Sequence, residues 1–446
     1  MRIVVLGAGT VGRSISALLC QYGHSLTVVD QSAERVRQLN DTLDARAIEG
    51  SASQASVLFQ AGVSSADLCL AVTGIDEVNL VGASMAAAMG ARRAVARVYA
   101  PVFRDLSTFD YRRHFGVDRL LSIEQLTATE IARRIRHPGS VAVENLAGGN
   151  LEAHALMVAA NQKGVGVALK ELALPKGVRV GSISRGDETW IAGAEDTLEP
   201  ADRITVIGKG EDLVKAKAFF QAESPARQQV VIAGGGETGY HLAAALEGRR
   251  TRVTLMESDR SRCEFLASHL ENCTVVHRDA TRRVDLEEER VGAADVFVAC
   301  TGDDENNIVA AVEARDIGAG QVMALVGRPD YAQVVGRLGI DLAVSPREVV
   351  AKQVLGYLTT GAVVSRADLS VSASLHILEL DVQADSPATQ GKLAELSLPP
   401  QSLIAAVVRE GYASVPGADE RFQAGDTVVA LVAEKSEADA VALFES

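Results

Sequence analysis

Ile3-Val4-Val5-Leu6-Gly7-Ala8-Gly9-Thr10-Val11-Gly12 decides the fold of this 446-residue chain. The apolar run reads as a first strand, and the glycine pattern at its end opens a helix. In such a turn Gly7 allows the tight bend, Gly9 lets the backbone approach a pyrophosphate, and Gly12 lets helix pack on strand. The free N–H groups at the helix start then face phosphate. Asp30 closes the next apolar run, Leu26-Thr27-Val28-Val29-Asp30, at 30 − 12 = 18 residues beyond the third glycine. A carboxylate there accepts hydrogen bonds from ribose hydroxyls and repels a 2′-phosphate, which favours NAD(H) over its phosphorylated form.

The same stretch returns. Gly234, Gly236, Thr238 and Gly239 belong to a second loop at 234 − 7 = 227, and Glu257 follows Val253-Thr254-Leu255-Met256 at 257 − 30 = 227. Thr73-Gly74 and Thr301-Gly302 are 301 − 73 = 228 apart, as are Asp76-Glu77-Val78-Asn79 and Asp304-Glu305-Asn306-Asn307, so one residue has been inserted. Beyond these segments Leu172-Ala173-Leu174-Pro175 matches Leu396-Ser397-Leu398-Pro399 at 396 − 172 = 224, and Ala201-Asp202 matches Gly425-Asp426 at the same spacing. The repeat unit is too long for a solenoid and reads as a duplicated two-domain protein. The expected pieces are 1–138, 141–222, 228–366 and 371–446, with the polar, proline-containing stretch 221–229 as linker.

Within 1–138 strands fit near 2–6, 26–30, 45–49, 68–73 and 94–98, and helices near 11–22, 33–40, 54–60 and 77–89. Strand–helix alternation implies βαβ units, so each large piece is expected to be a Rossmann-like α/β domain with a doubly wound parallel sheet. Residues 151–207 hold short apolar runs broken by Gly, Pro and Asp, followed by a helix near 211–220, which suggests a small α+β domain. The two loops differ in charge. Thr10 and Arg13 flank the glycines of the first and offer a hydroxyl and a cation near the pyrophosphate, Glu237 and Tyr240 flank those of the second, and Arg97 and Val98, at the end of the fifth strand, are also expected to bind the cofactor, Arg97 being matched by Leu325. A carboxylate at Glu237 satisfies the helix dipole itself and opposes an anionic ligand.

Composition excludes several classes. With 47% hydrophobic and 23% charged residues the chain is an ordinary globular one, and its net charge of −14 argues against nucleic acid and anionic membrane surfaces as partners. No run resembles a bilayer span and no signal peptide precedes the first strand, so a cytoplasmic location is expected, and a membrane role requires a protein anchor. The five cysteines form no Cys-x-x-Cys pair, which fits free thiols in a reducing compartment. A dehydrogenase would need a proton donor beside the nicotinamide. None of the eight histidines falls at a matching place in both halves, no catalytic triad order or metal set appears, and the basic run Arg133-Arg134-Ile135-Arg136-His137 reads as a solvated helix face or as interdomain ion pairing rather than a phosphate site. A duplicated NAD-dependent oxidoreductase stays the alternative to a non-enzymatic regulator.

At this point the residues carry a resemblance. Gly-x-Gly-x-x-Gly, Asp30, Leu58-Phe59-Gln60-Ala61-Gly62-Val63 leading to Ala66-Asp67, Thr73-Gly74, Asp76-Glu77-Val78-Asn79 and Gly116-Val117-Asp118 resemble the regulator-of-K⁺-conductance (RCK) domain pair. Two complete pairs in one chain resemble the TrkA family, the cytoplasmic subunits of bacterial Trk potassium uptake systems. The resemblance implies binding of NAD(H), and in some members ATP or ADP. It implies a homo-oligomeric dimer or tetramer ring, peripheral on the inner face of the membrane beneath a Trk-type integral potassium transporter. In such a ring the nucleotide gates potassium flow. It places phosphates over Gly7, Ala8, Gly9, Thr10, Val11 and Gly12, the ribose on Asp30, Ser51 and Asp279 near the adenine end, and Thr73, Gly74 and Thr301 along the cofactor. Ser51 departs from the family's usual Asp, which Asp279 keeps.

Overall fold

A computed structural model describes residues 1–136, 140–146, 151–175, 177–186, 188–221, 227–248, 251–328, 331, 335–355, 362–368, 375–409 and 412–446. His137, the expected domain limits at 138, 222 and 371, and linker residues 222–226 lie outside them. The chain groups into two compact units, Met1–Ala132 with Ala226–Leu358, and Arg133–Pro225 with Thr359–Ser446.

The first unit holds the two large domains, except that the last four residues of the helix closing the first of them, Arg133–Arg136, fall in the second unit. One comprises β1 (Arg2–Leu6), α1 (Thr10–Gln21), β2 (Ser25–Asp30), α2 (Ala33–Thr42), β3 (Arg46–Glu49), α3 (Ala55–Gln60), β4 (Leu68–Ala71), α4 (Asp76–Ala88), β5 (Ala94–Arg97), α5 (Tyr111–His114), β6 (Arg119–Leu121) and α6 (Ile123–Arg136). The strands run parallel in the order β3-β2-β1-β4-β5-β6. Both faces are covered, as a parallel sheet requires. Alternation along β1 sends Val4 and Leu6 into a core with Leu80, Ala83 and Val98, and Ile3 and Val5 into another with Ile15, Leu19 and Leu39. The doubly wound sheet read from the sequence is thus present, with an additional edge strand, β6, and the long helix α6. A three-residue strand carries too little periodicity to be read from sequence.

Four strands and a helix follow β7 (Ser140–Leu146) in the second unit: β8 (Leu151–Met157), β9 (Arg179–Arg185), β10 (Glu188–Ile191), β11 (Arg203–Gly208) and α7 (Gly210–Lys217). They form an antiparallel sheet ordered β10-β9-β11-β8-β7. The other large domain repeats the first plan with β12 (Gln228–Ala233), α8 (Glu237–Leu246), β13 (Thr251–Glu257), α9 (Arg260–His269), β14 (Cys273–His277), α10 (Arg283–Glu288), β15 (Val296–Ala299), α11 (Asp304–Asp316), β16 (Gln321–Leu325), β17 (Leu342–Val344) and α12 (Pro346–Leu355). Its parallel sheet is ordered β14-β13-β12-β15-β16-β17. Register fixes the inserted residue. Asp30 pairs with Glu49 and Glu257 with His277, so the spacing has become 277 − 49 = 228 by the end of the third strand of each sheet. The insertion therefore lies before that point.

The second unit closes with β18 (Val363–Asp368), β19 (Leu375–Asp381), β20 (Ser402–Arg409), β21 (Tyr412–Ser414), β22 (Thr427–Ala433) and α13 (Glu437–Ala442), in sheet order β18-β19-β22-β20-β21. Leu151, Ala153 and Ile207 share one core with Leu375, Ile377 and Leu431, so each small sheet buries its apolar face against the other. A buried aspartate holds a bidentate arginine in each: Arg185 on Asp202 at 2.8 and 2.9 Å, Arg409 on Asp426 at 2.7 and 2.8 Å. In the first unit α12 reaches across halves. Val350 and Val354 are fully buried in the core beneath α1.

Candidate functional site: the two glycine loops

The first loop sits where the strand order reverses, between β1 and β4, the switch point at which open α/β sheets form a ligand crevice. Gly7 has φ +110°, and a Cβ there would lie 2.9 Å from the Thr73 nitrogen. At Gly12 a Cβ would meet the Gly7 carbonyl oxygen at 1.8 Å, so the start of α1 packs on the loop only as glycine. Gly9 is different. A Cβ built on it touches nothing within 4 Å, so a side chain there would project into open space above the loop. Gly9 is the N-cap of α1 and gives it no side-chain cap. The amides of the first turn thus have no side-chain acceptor from the cap residue.

Asp30 does more than the sequence disclosed. Its Oδ2 accepts from the Ala8 amide at 2.6 Å and its Oδ1 from Ser32 N at 2.9 Å, so the carboxylate pins the glycine loop to the end of β2. A carboxylate has about four acceptor positions, which leaves room for further donors. Arg35 Nη1 lies 3.6 Å away on a side chain 56% exposed. Arg13 turns along the surface to Gln38 Oε1 at 2.8 Å. Ser51 Oγ is 3.0 Å from Ser53 Oγ, beyond β3.

On the β4 side the repeated Asp-Glu-x-Asn segment has a role that sequence reasoning missed. Asn79 is fully buried. Its Oδ1 accepts from Thr73 N at 2.7 Å and Thr73 Oγ1 at 2.7 Å, and its Nδ2 donates to the Thr73 carbonyl at 3.1 Å and the Arg97 carbonyl at 3.0 Å. Asp76 accepts from Tyr99 N and Ala100 N at 2.9 and 2.8 Å. Together they tie the ends of β4 and β5 to the start of α4. Thr73 therefore lines the crevice through its backbone, its hydroxyl being engaged with Asn79. Val98 is buried in the core. Arg97 is mostly buried and pairs with Glu124 at 3.3 Å. The signal was the recurrence at Asp304 and Asn307, which make the same bonds: Asn307 to Thr301 and the Leu325 carbonyl, and Asp304 to Gly327 N.

The second loop copies the frame. Gly234 has φ +106°, a Cβ at Gly239 would meet Gly234 O at 1.9 Å, and one at Gly236 meets nothing. Glu257 accepts from Gly235 N at 2.7 Å and Asp259 N at 2.8 Å. The loops differ here: a Cβ on Gly235 would lie 2.4 Å from Leu266 Cδ1 and 2.9 Å from Glu257 Oε2, whereas Ala8 is accommodated beside Asp30. Glu237, at the start of α8, does not point into solvent. Its side chain is 10% exposed and its Oε1 accepts from Arg262 Nη2 at 3.0 Å, while Arg262 Nε donates to the Gly235 carbonyl at 2.6 Å. Thr238 follows in the first turn of α8. Asp279 Oδ1 caps Thr281 N at 3.0 Å, beyond β14. Burial pushes the Cys69 and Cys300 thiols up to about 12, which leaves them inert. Among the described residues no cluster of His, Cys, Asp and Glu is placed to hold a metal, and no helix is long and apolar enough to cross a membrane.

Comparison with known proteins gives a consistent picture. The TrkA-N domain model matches residues 3–122 and 230–346, and the TrkA-C domain model matches residues 154–221. The Trk system potassium uptake protein TrkA homolog of Archaeoglobus fulgidus is 32% identical over 430 residues, covering 96% of each chain. The Trk system potassium uptake protein TrkA of Halomonas elongata is 31% identical over 442 residues, 98% of this chain and 96% of its own. Among solved structures, the GsuK RCK domain superposes with a TM-score of 0.62 at 19% identity, over 98% of this chain and 93% of its own. The GsuK channel bound to NAD gives 0.64 at 18%, over 99% and 78%. At that identity these structures speak to the fold alone.

Proposed function

Since the chain belongs to the TrkA family of Trk system potassium uptake proteins, we propose that it is the nucleotide-sensing subunit that gates a Trk-type potassium transporter. The observation that carries the nucleotide reading is the first glycine loop. It has a backbone cradle with open space over Gly9, helix amides without a side-chain cap, and at Asp30 a carboxylate with acceptor capacity left over. A dinucleotide suits these groups. Its phosphates meet the loop from Gly7 to Gly12 and Arg35, and its ribose meets Asp30. Thr73 and Gly74 border the crevice at the end of β4 and Ser51 on the β3 side, whereas Val98, expected from the sequence to meet the cofactor, is buried in the core, and the Arg97 guanidinium is taken by Glu124. NAD(H) is the favoured ligand, with ATP or ADP sharing the same phosphate and ribose chemistry.

The bound nucleotide acts here through binding energy. A ligand shifts a two-state assembly only by its difference in affinity for the two states. A homo-oligomeric ring held on the inner face of the membrane by the transporter would convert that difference into gating. Two measurements test the reading together. Calorimetry of the full chain with NAD⁺, NADH, ATP and ADP is expected to show saturable binding that is lost in Gly9→Val. Potassium flux in vesicles bearing the transporter and this protein is expected to respond to the same nucleotide. Absence of binding by all four, or flux indifferent to them, overturns the proposal, as would sustained NADH turnover at about 1 s⁻¹ or more.

A further inference from the structure

We infer that the second glycine loop is closed by a carboxylate of the chain itself, Glu237, and that this closure is locked by Arg104 from the first large domain. The inference rests on the nucleotide reading of the glycine loops. Arg262 and Arg35 correspond, 262 − 35 = 227. In the first loop the residue opening α1 is Thr10, exposed and uncharged, and Arg35 keeps a mostly exposed guanidinium. In the second loop Arg262 lies across the glycines, with Nε on the Gly235 carbonyl and Nη2 on Glu237 Oε1. The carboxylate stands at the positive end of α8, where a phosphate would otherwise go, and it pairs with the cation that would otherwise meet that phosphate. Its other oxygen, Oε2, is buried with no hydrogen-bond partner.

The lock comes from the other half. One helical turn along α8, His241 Nε2 lies 3.8 Å from Glu237 and accepts from Arg104 Nη2 at 3.1 Å. Arg104 belongs to the segment after β5 of the first large domain, where it also contacts Gln125. Burial pulls the Arg104 and His241 ionisations down, so the arginine donates to a neutral ring in a poorly hydrated place. Arg104 faces Glu124, Glu237 and Asp76, and of these Glu237 also pairs with Arg262. A phosphate can enter the loop only if Glu237 swings aside, and this movement disturbs the Arg104–His241 contact between the two large domains. Occupancy of the second loop and that contact therefore oppose one another, and by linkage each weakens the other by the same factor.

The test uses the full chain in a Gly9→Val background, so that heat reports the second loop, with ADP and NADH as probes. Glu237→Thr, which reproduces the first loop's residue, is expected to tighten second-loop binding at least tenfold. Arg104→Gln, outside the loop, is expected to tighten it several-fold. Amide hydrogen exchange without ligand supplies an independent readout: Glu237→Thr should raise exchange in 99–104 as well as in 235–241. If the parent binds nucleotide at the first loop but neither substitution changes the second, the closure is overturned while the nucleotide reading stands. If Glu237→Thr tightens binding but Arg104→Gln does not, and exchange in 99–104 is unchanged, the lock is overturned. If no nucleotide binds anywhere, the nucleotide reading fails, and exchange confined to 235–241 overturns the lock on its own.

Discussion

Asn79→Ala is the substitution on which the account of the first site depends most sharply. The side chain is fully buried and makes four hydrogen bonds, two accepted from Thr73 and two donated to the Thr73 and Arg97 carbonyls. After truncation the Thr73 hydroxyl can turn to the Ile75 carbonyl, 3.2 Å away. The Thr73 N–H and the two carbonyls have no such substitute. At about 1 kcal/mol or a little more for each lost bond, the first large domain should lose about 3–4 kcal/mol. With a urea slope of about 2 kcal/mol/M that is a fall of about 1.5–2 M in the midpoint of its transition. First-loop nucleotide affinity should drop as well, because the unpinned Thr73 backbone abuts Gly7. Asn79→Asp separates polarity from packing. It keeps the volume but sets a carboxylate against two carbonyls, so it should be about as damaging. Asn307→Ala should cost similar stability and leave first-loop affinity unchanged. An Asn79→Asp midpoint indistinguishable from the parent, or equal affinity losses in the Asn79 and Asn307 variants, would refute the reasoning.

Four further substitutions follow, three in the same frame and one in the second unit. Gly12→Ala should destabilise by about 2–3 kcal/mol, since its Cβ would fall 1.8 Å from the Gly7 oxygen, whereas Gly9→Ala should fold normally and lose nucleotide binding; thermal melts with calorimetry check the pair. Asp30→Ala removes the acceptor of two backbone amides as well as the proposed ribose contact, so it should cost about 2–4 kcal/mol of stability and also at least tenfold in NADH affinity; an unchanged melting temperature would count against the pinning role. Lys217 is held down to about 8 from 10.5 by burial, so in this region the unfolded chain binds the extra proton. The second unit should gain stability as pH rises from about 8 to 10.5, and Lys217→Met should stabilise it by about 1–2 kcal/mol at pH 7 and by nothing above pH 10.5, measured by denaturant titration across that range.

Much of this frame was legible because its signals are local. An apolar run, a glycine triplet and an acid 18 residues on can be read along the chain, and the duplication multiplies their weight. The edge strand β6 was not legible, because three residues carry no period, and the swapped position of α12 was not, because nothing local tells a helix which half it covers. Asn79 stood in a motif that repeats, yet a polar side chain on a helix looks solvated until the carbonyls it faces are known. Glu237 could be seen to oppose an anion, but its pairing with Arg262 and the approach of Arg104 join positions that are remote in sequence. The duplication then sorts the residues physically. Those that match across halves, Asp30 with Glu257, Asp76 with Asp304, Asn79 with Asn307 and Asp202 with Asp426, all bind backbone amides or carbonyls and hold the two copies to one geometry. Ala8 and Gly235, Thr10 and Glu237, and Ser14 and His241 differ and lie on the glycine loops or in the first turns of the helices they open, while Arg97 and Leu325 differ at the ends of β5 and β16. A shared frame thus carries unlike linings: an exposed Thr10 opens the first helix, whereas at the second loop Glu237 sets a carboxylate of the chain itself against Arg262. On the proposed reading the first loop takes its anion from a nucleotide, and the second already carries its own.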